Sequence, residues 1–577
     1  MGRVTEIDRK RWLTTVRIPL GLFGLAFLVR LFLIALFPNP AYPDSFYYVE
    51  VAKSLATGHG LTVPFVWIFA EVGNRIPDVP MLPVPSNAHW LPLASFIEAP
   101  FLALFGVSGI VAALPLAVIS ATTAPLTYVI ARDIHARRSV AIGAGILAAV
   151  PGAGAVFFGQ PENFAILFPL VTAILWLTAR GLRGDWRSFA LAGLLAGISS
   201  LARNDGPLLL GALGLIWIGD RLRWWLTTHR ILANAADRAS PPGEEGPRRP
   251  IGFVAGFACV GLFLLVMAPW WLRQIAVFGS ISPTSSSGAA LWIRQISEWN
   301  SITAAPSLSR FLDQGIGPIV ASRLGGLGSA LANFVVVICS IFLAPFLVIG
   351  AWRRRRSLDL IPWFVYTAVV FIGATLLYPL HVPGGAFIHS AIGLAPYAYI
   401  LSLEGVLACV TAIAKRRKTW NLPSAERFFM VATISVVICV AIVMGMATVS
   451  AWNASRAPRI QMAAEMERLD IPTSDRLFST DAGGYAYLTG HPGVVTPNDP
   501  LPVIESVARA YDMRWLVLER EDIVDALAPV LAGKISAPWI GTPVFIVPSS
   551  DGGVPRLALY PVCLTSTDTR CASTVSP

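Results

Sequence analysis

Long apolar stretches alternate with short polar loops along most of this chain. A helix needs about 20 mainly apolar residues to cross a bilayer. The stretches that meet or approach this length are 17–37, 110–131, 139–158, 163–179, 188–203, 206–219, 251–271, 328–350, 361–379, 387–412 and 428–449. The pattern predicts a polytopic α-helical membrane protein with about eleven transmembrane helices.

The positions of the basic residues predict how the helices are oriented. Lys and Arg cluster ahead of the first span and in the loops 132–138, 180–187, 221–249, 353–356 and 415–418. Such residues are enriched in cytoplasmic loops. We therefore expect an integral protein of the plasma (inner) membrane, with a cytoplasmic N-terminus. An odd number of spans then places the C-terminal segment on the external, periplasmic side.

The apolar run 91–106 is the exception to this pattern. It lies in the predicted external loop 38–107, and Glu98 and Pro100 interrupt it. Counting it as a span would move every later basic loop to the outside. We therefore predict a helix that lies in the membrane interface.

The composition agrees with this membrane topology. The 577 residues are 55% hydrophobic and only 14% charged, with a formal net charge of +10. Topology explains the basic balance, so we expect no nucleic-acid partner. Four cysteines lie in apolar spans as small core residues. Cys563 and Cys571 lie in the external tail, where a disulfide and two free thiols are both open alternatives.

The sequence changes character after the last predicted span. We predict a membrane domain over 1–450 and a small external α/β domain over 451–577, because strand and helix patterns alternate there. The predicted elements are a helix at 463–469, a strand at 476–480, a turn at 481–484, a helix at 504–511, a strand at 515–518, a helix at 522–531 and a strand at 544–547.

Three carboxylates follow or separate spans on the predicted outer face: Asp44, Glu162 and Asp205. Ionisable groups at helix ends around one membrane face can converge on one cavity. Charges at membrane depth cost free energy, so those that are present are often functional. The alternative is that external turns carry polar residues because water surrounds them. The combination of three such residues favours a shared site.

Basic side chains on the same face could hold a phosphate or a sugar. The candidates are His89, Arg203, Arg273, Arg294, His381 and His389. Arginine offers forked donors to phosphate, but lipid headgroups and neighbouring acids are alternative partners. The pair His381 and His389 could alternatively bind a metal ion. Arg30, inside the first span, is expected to extend outward to the interface.

Taken together, these features resemble the glycosyltransferase-C superfamily, in the branch of the protein O-mannosyltransferases and lipid A aminoarabinose transferases. The resemblance rests on Asp44 after the first span, His89-Trp90-Leu91-Pro92-Leu93, Glu162 before the fourth span, and the segment from Thr480 to Gly493. Two departures are Ser45, where the family often has a second acid, and Glu162, where it often has Asp.

The resemblance implies transfer of a sugar from a polyprenyl-phosphate donor to a lipid, glycan or protein acceptor at the outer face. Asp44 would act as general base or orient the acceptor hydroxyl, and Glu162 would hold the acceptor or assist. His89 and Arg203 would stabilise the departing phosphate. No cofactor is firmly implied, and a divalent metal that shares this role stays open.

Two other classes of function remain as alternatives. A transporter or flippase of envelope lipids or glycans would need more polar groups through the bilayer than these spans offer. A non-catalytic envelope assembly scaffold would use the C-terminal domain for binding. The sequence contains no phosphate-binding loop, nucleophile elbow or His-Glu-x-x-His motif.

Overall fold

The chain is described by a computed structural model over residues 5–204, 206–236, 248–286, 291–378, 386–417, 419–565 and 570. It forms two compact units. The first comprises Met1–Leu36, Leu114–Trp270 and Arg323–Gly445, and the second comprises Phe37–Ala113, Trp271–Ser322 and Met446–Pro577. The predicted domain boundary between residues 450 and 451 stays a prediction.

Most of the described chain is helical. The longer helices are Thr5–Leu36, Pro43–Ala56, Leu93–Phe105, Gly109–Ala121, Thr123–Asp133, Arg138–Ala149, Phe164–Leu182, Trp186–Ser200, Pro207–Ala236, Phe253–Phe278, Ile316–Asn333, Ala344–Arg354, Ile361–Ile372, Ala395–Arg416, Leu422–Arg468 and Leu501–Ala510. The shorter α-helices are Pro283–Ser286, Leu308–Asp313, Ala386–Ala391, Ala482–Thr489 and Ala528–Leu531. The 3₁₀ segments are Gly152–Gly159, Ile296–Glu298, Leu358–Leu360 and Ile392–Leu394, and the π segments are Phe334–Ile338 and Gly373–Leu377.

Within the described ranges, eight helices are long and apolar enough to cross a membrane, and the polytopic helical fold is confirmed. They are Val16–Leu36, Gly109–Asp133, Phe164–Leu182, Phe253–Phe278, Ile316–Ile338, Leu358–Leu377, Phe387–Arg416 and Leu422–Arg468. The pair Arg138–Ala149 and Gly152–Gly159, bent by 50°, gives a ninth if it is one span. The predicted spans 188–203 and 206–219 lie on other helices, Trp186–Ser200 and Pro207–Ala236.

The predicted span 328–350 is wrong as a single helix. Ser340 and Ile341 have φ values of 46° and 60°, a left-handed conformation that interrupts the helical path. The next helix, Ala344–Arg354, begins with a proline in its first turn. The sequence has no glycine at the break and the apolar pattern continues across it, so the pattern predicts one uninterrupted helix.

Arg30 does not extend to the interface, so that prediction is also wrong. Its side chain is fully buried within the first unit. Nε donates to Ser120 Oγ at 3.1 Å and Nη2 to the Ala148 carbonyl at 3.2 Å, while Nη1 donates to the Ala149 carbonyl. Those carbonyls end helix Arg138–Ala149, where the last turn lacks helical partners. Arg30 therefore caps a helix end inside the unit.

The apolar run in the first loop forms helix Leu93–Phe105. Its 13 residues are too few to span a bilayer. Leu104 and Phe105 are 76% and 70% exposed, although Glu98 on the other face is buried. The predicted helix is confirmed, and its position in the membrane interface stays a prediction.

The second unit contains a six-stranded mixed sheet. The described strands of the unit, six in this sheet and two in a separate pair, are β1 (Thr62–Val63), β2 (Phe65–Val66), β3 (Val84–Pro85), β4 (Leu477–Ser479), β5 (Gly493–Val495), β6 (Trp515–Glu519), β7 (Phe545–Val547) and β8 (Leu557–Pro561). The sheet order is β2-β5-β4-β6-β8-β7, and β1 pairs separately with β3. β2 comes from the first loop, so this loop and the C-terminal segment build one sheet.

The sheet confirms the predicted strands at 476–480, 515–518 and 544–547, and helix Leu501–Ala510 confirms the prediction at 504–511. The predicted turn at 481–484 is wrong. Asp481 caps helix Ala482–Thr489 by accepting from the Gly484 amide at 3.0 Å. The predicted helix 463–469 is the end of the 47-residue helix Leu422–Arg468, and the one at 522–531 is reduced to Ala528–Leu531.

Cys563, one of the two tail cysteines, is disulfide-bonded, and Cys571 lies outside the described residues. Whether Cys571 is its partner stays a prediction.

Candidate functional site

Asp44 lies in the first turn of helix Pro43–Ala56, in the second unit. Pro43 occupies the first helical position, and the Ser45 hydroxyl donates to the Tyr42 carbonyl at 2.8 Å. The helix N-terminus favours an ionised carboxylate at this point. Trp90 Nε1 donates to Asp44 Oδ1 at 2.8 Å. The carboxylate is thus fixed in direction while the residue stays half-buried.

Trp90 is itself held in place by the same helix. The ring of Tyr47, one turn after Asp44, stacks on Trp90 with centroids 4.4 Å apart. Asn87 Nδ2 donates to the Trp90 carbonyl at 3.0 Å, and the Asn87 amide donates to the Tyr47 hydroxyl at 2.7 Å. Asn87 has a φ of 70°, which Asn tolerates better than most residues. This turn therefore sets the direction of the hydrogen bond to Asp44.

His89 lies in the same cluster, so the structure brings two predicted site residues together around Trp90. Its Nδ1 hydrogen-bonds Thr284 Oγ1 at 3.1 Å. The ring centroids of Phe69, Trp90 and Trp299 lie 5.1, 5.0 and 5.6 Å from the imidazole. His89 is consequently surrounded by aromatic rings. Its role towards a phosphate stays a prediction.

The predicted arginines of the second unit differ in their surroundings. Arg273 Nη1 donates to Gln274 Oε1 at 2.9 Å, and Gln274 Nε2 donates to the Asn87 carbonyl at 2.7 Å. This chain of bonds links Arg273 to the turn that holds Trp90. Arg294 instead donates through Nε to Glu298 Oε1 at 2.7 Å. Its charge is balanced by a neighbouring acid, the alternative that the sequence left open.

Glu71 belongs to the same cluster and was missed from the sequence. It accepts from the Trp67 amide through Oε2 at 2.8 Å and interacts with the Tyr47 hydroxyl. Burial raises the pKa of Glu71 to about 8 despite these bonds. Burial, with Glu71 nearby, also raises the pKa of Tyr47 well above its ordinary value. The available signal was a single acid inside the apolar run 63–72.

Glu162 and His389 form the corresponding cluster in the first unit. His389 Nε2 donates to Glu162 Oε1 at 2.7 Å, and the Phe164 amide donates to Oε2 at 2.9 Å. The Phe164 ring stacks on the imidazole with centroids 3.8 Å apart. Both members of the pair are buried, 0% and 1% exposed. The structure thus brings together two residues that are 227 positions apart in the chain.

The charge state of Glu162 follows from these contacts. Burial by itself raises the pKa of this carboxyl, but His389, the Phe164 amide and Arg203 together outweigh burial. The net result is a pKa below the ordinary value, so Glu162 is ionised at neutral pH. Arg203, another predicted site residue, therefore acts on Glu162 electrostatically.

Two predicted site residues, Asp205 and His381, lie outside the described residues. Glu162 and His389 offer a carboxylate and an imidazole side by side, which are two of the ligand types that divalent metals use. Here the two groups hydrogen-bond each other. A metal requirement stays a prediction, and so does joint action of Asp44 with Glu162.

Comparisons with known proteins bear on the fold and the family. Residues 84–236 match the sequence model of the dolichyl-phosphate-mannose-protein mannosyltransferase family. The crystal structure of apo ArnT from Cupriavidus metallidurans is similar over 99% of this chain and 100% of its own, at 13% identity and a TM-score of 0.51. The chain therefore shares the fold of this ArnT structure. The resemblance that the sequence motifs predicted is confirmed.

Two further solved structures resemble this chain. ArnT from C. metallidurans bound to undecaprenyl phosphate matches 98% of this chain and 99% of its own, at 13% identity and a TM-score of 0.49. The oligosaccharyltransferase AglB from Archaeoglobus fulgidus, in complex with an inhibitory peptide and a dolichol-phosphate, matches 96% and 75%, at 13% identity and 0.45. A search of curated proteins gives no significant match.

Proposed function

We propose that this glycosyltransferase-C chain transfers a sugar from a polyprenyl-phosphate donor to an acceptor hydroxyl at the outer face of the membrane. The donor class is supported by the family match, whose description specifies dolichyl-phosphate-mannose. The observation that carries the proposal is the Asp44 carboxylate, which directly follows the first span and is aimed by Trp90. A lipid-linked donor keeps its tail in the bilayer while its phosphate and sugar reach the interface beside such a residue.

In this reaction Asp44 accepts the proton of the acceptor hydroxyl as its oxygen attacks the anomeric carbon. The bond between that carbon and the phosphate oxygen breaks, and the lipid phosphate leaves with the electron pair. General base catalysis requires a carboxylate that is ionised and held in a fixed direction. The helix N-terminus and Trp90 supply both conditions for Asp44. Its half-buried position leaves access for the acceptor.

Glu162 has a different role in the proposal. Its two oxygens already accept from His389 and from the Phe164 amide, and its side chain has no exposure. A group in that position orients His389 rather than taking a proton from the acceptor. We therefore assign Glu162 as a residue that positions His389, and a contact of His389 with the sugar or phosphate stays a prediction.

The cationic residues would stabilise the negative charge that develops on the departing phosphate. His89, Arg203 and Arg273 are the candidates, because each is half-buried in one of the two clusters. Fixed positive groups stabilise a developing charge most effectively where water is excluded. A divalent metal would supply the same stabilisation.

The test is transfer activity of Asp44→Asn in proteoliposomes supplied with a polyprenyl-phosphate sugar and a membrane extract as acceptor. Asn retains the acceptor oxygen for Trp90 but cannot take a proton at neutral pH. We expect kcat to fall by roughly 100-fold or more, the usual range for loss of a general base. The Michaelis constant for the donor should change little, because the donor does not depend on this proton transfer.

Asp78→Asn is the matched control, since Asp78 is an exposed acid of the same predicted loop. It should transfer sugar at the wild-type rate. Wild-type kcat in correctly folded Asp44→Asn would refute the base assignment. A wild-type chain that moves labelled lipid across the vesicle without transferring sugar would refute the enzyme class as a whole.

A further inference from the structure

The second unit contains a pocket that uses none of the residues assigned to sugar transfer. Its cavity volume is about 30 Å³, and it is partly open to solvent. Its principal lining residues are Phe37, Phe46, Trp452, Ser455, Arg456 and Tyr487. The pocket therefore combines aromatic walls with a cation.

The aromatic walls are packed in pairs. Phe37 lies against Trp452 with ring centroids 5.2 Å apart, and Phe46 lies against Tyr487 at 5.7 Å. Rings of this kind are enriched where proteins meet lipid headgroups, because one part of the side chain is apolar and another tolerates water. The walls are thus suited to the glycerol and upper acyl region of a lipid.

The two arginines at the pocket differ in how their charge is balanced. Arg459 donates through Nε to Glu519 at 2.9 Å and also pairs with Asp481. Its charge is therefore taken up by the protein. Arg456 lines the same pocket, and among the described residues no acid lies within ion-pair distance of it. The pocket carries one uncompensated positive charge.

Three of the lining residues, Phe37, Trp452 and Arg456, lie just beyond apolar stretches of the chain, where a membrane boundary is expected. Phe37 directly follows helix Thr5–Leu36, whose apolar part is a candidate span. Trp452 and Arg456 follow the apolar stretch 428–449 within helix Leu422–Arg468. Phe37, Trp452 and Arg456 thus come from chain that has just left an apolar span. Phospholipid phosphates lie at this level of a bilayer.

We propose that this pocket binds the phosphate headgroup of an anionic membrane phospholipid, with Arg456 as the phosphate ligand. The forked donors of arginine match phosphate oxygens. An anionic lipid is favoured over a zwitterionic one, because a choline or ethanolamine cation would face Arg456. The site is separate from sugar transfer, and it stands whether or not the proposed function holds.

The test is native mass spectrometry of the delipidated full chain in detergent, titrated with dioleoylphosphatidylglycerol. We expect one tightly held lipid in the wild type and about tenfold weaker binding in Arg456→Gln, the loss typical of a charge-assisted hydrogen-bonded contact. Arg456→Lys should keep most of the affinity. Ser455→Phe should lose it, because it fills the pocket while Arg456 remains.

Lys534→Gln is the charge-matched control, since Lys534 is an exposed cation elsewhere in the same unit. It should bind phosphatidylglycerol like the wild type. Equal loss in Lys534→Gln, or wild-type binding in Arg456→Gln, would overturn the site. Displacement of the lipid by equimolar inorganic phosphate, or preferred retention of undecaprenyl phosphate through Arg456, would overturn the choice of phospholipid as the occupant.

Discussion

His389→Ala removes the imidazole that pairs with Glu162, and we expect this variant to lose substantial stability. The change leaves an ionised carboxylate at 0% exposure, with the Phe164 amide donating to it at 2.9 Å and Arg203 acting on it electrostatically. Removing one partner of a buried ion pair typically costs about 3–5 kcal/mol. We therefore expect a loss of roughly this size in the free energy of unfolding.

The double variant Glu162→Gln/His389→Ala separates the charge from the packing. Both variants lose the ring that stacks on Phe164 at 3.8 Å, so this contribution cancels in the comparison. A neutral amide costs less to bury than an unpaired carboxylate, by about 1–3 kcal/mol. The double variant should therefore be more stable than His389→Ala alone.

The dependence on pH gives an independent readout. The wild-type pKa of Glu162 is lowered, because the favourable contacts outweigh burial, so its contribution is present above the ordinary value of 4.5 and is lost as pH falls through the folded-state pKa. Without His389 the largest remaining influence is burial, which raises the pKa. His389→Ala should then lose stability as pH rises above about 4.5, whereas the double variant should not.

Unfolding in detergent, followed by tryptophan fluorescence against denaturant at several pH values, measures these differences. Phe157→Ala is a useful reference for lost aromatic packing beside Phe164, because the two rings lie 5.7 Å apart but Phe157 carries no charge. Equal stability of His389→Ala and the double variant at every pH would show that Glu162 is not held as a buried anion, and would refute the reasoning.

Three further outcomes are expected. Burial raises the pKa of Glu71 in the folded state, so the wild type should lose stability as pH rises from about 4.5 towards about 8. Glu71→Gln should remove this loss, which unfolding measured across that pH range checks. Asp499→Ala should destabilise by about 3 kcal/mol, since Asp499 accepts from the amides of Ile302 at 2.7 Å and Thr303 at 2.9 Å; it should also speed proteolysis of this segment. Arg30→Lys should cost about 2 kcal/mol in thermal unfolding, because an ammonium cannot reproduce the forked contacts with a hydroxyl and two carbonyls.

Features that depend on local periodicity were predictable from the sequence. Long apolar stretches and short strands bounded by turn residues carry their signal within 5 to 25 residues, as in Phe164–Leu182 and β6. The break at Ser340 and Ile341, where the backbone is left-handed, was not predictable, because neither residue is a usual helix breaker. The strand β2 was missed because two residues carry no periodic signal and gain their place only by pairing with β5.

The candidate site residues were more predictable from the sequence than the distant residues that each of them contacts. Asp44, His89 and Glu162 could be selected because their positions relative to the spans suggest one membrane face. Two contacts, Trp90 with Asp44 and His389 with Glu162, join residues that are 46 and 227 positions apart. A single sequence does not record such contacts, so it could propose the participants but not their pairing.

The pairing changes how the two acids divide the proposed reaction. From the sequence, Asp44 was predicted to be the general base or to orient the acceptor hydroxyl, and Glu162 to hold the acceptor or assist. In the structure Asp44 is half-buried beside a neutral indole donor, whereas Glu162 is fully buried against an imidazole. Only the first can meet an acceptor hydroxyl without rearrangement. If that division is right, Asp44→Asn should lower kcat, because it removes the base. Glu162→Gln should lower kcat less, because it changes a group that orients His389 and leaves the base in place.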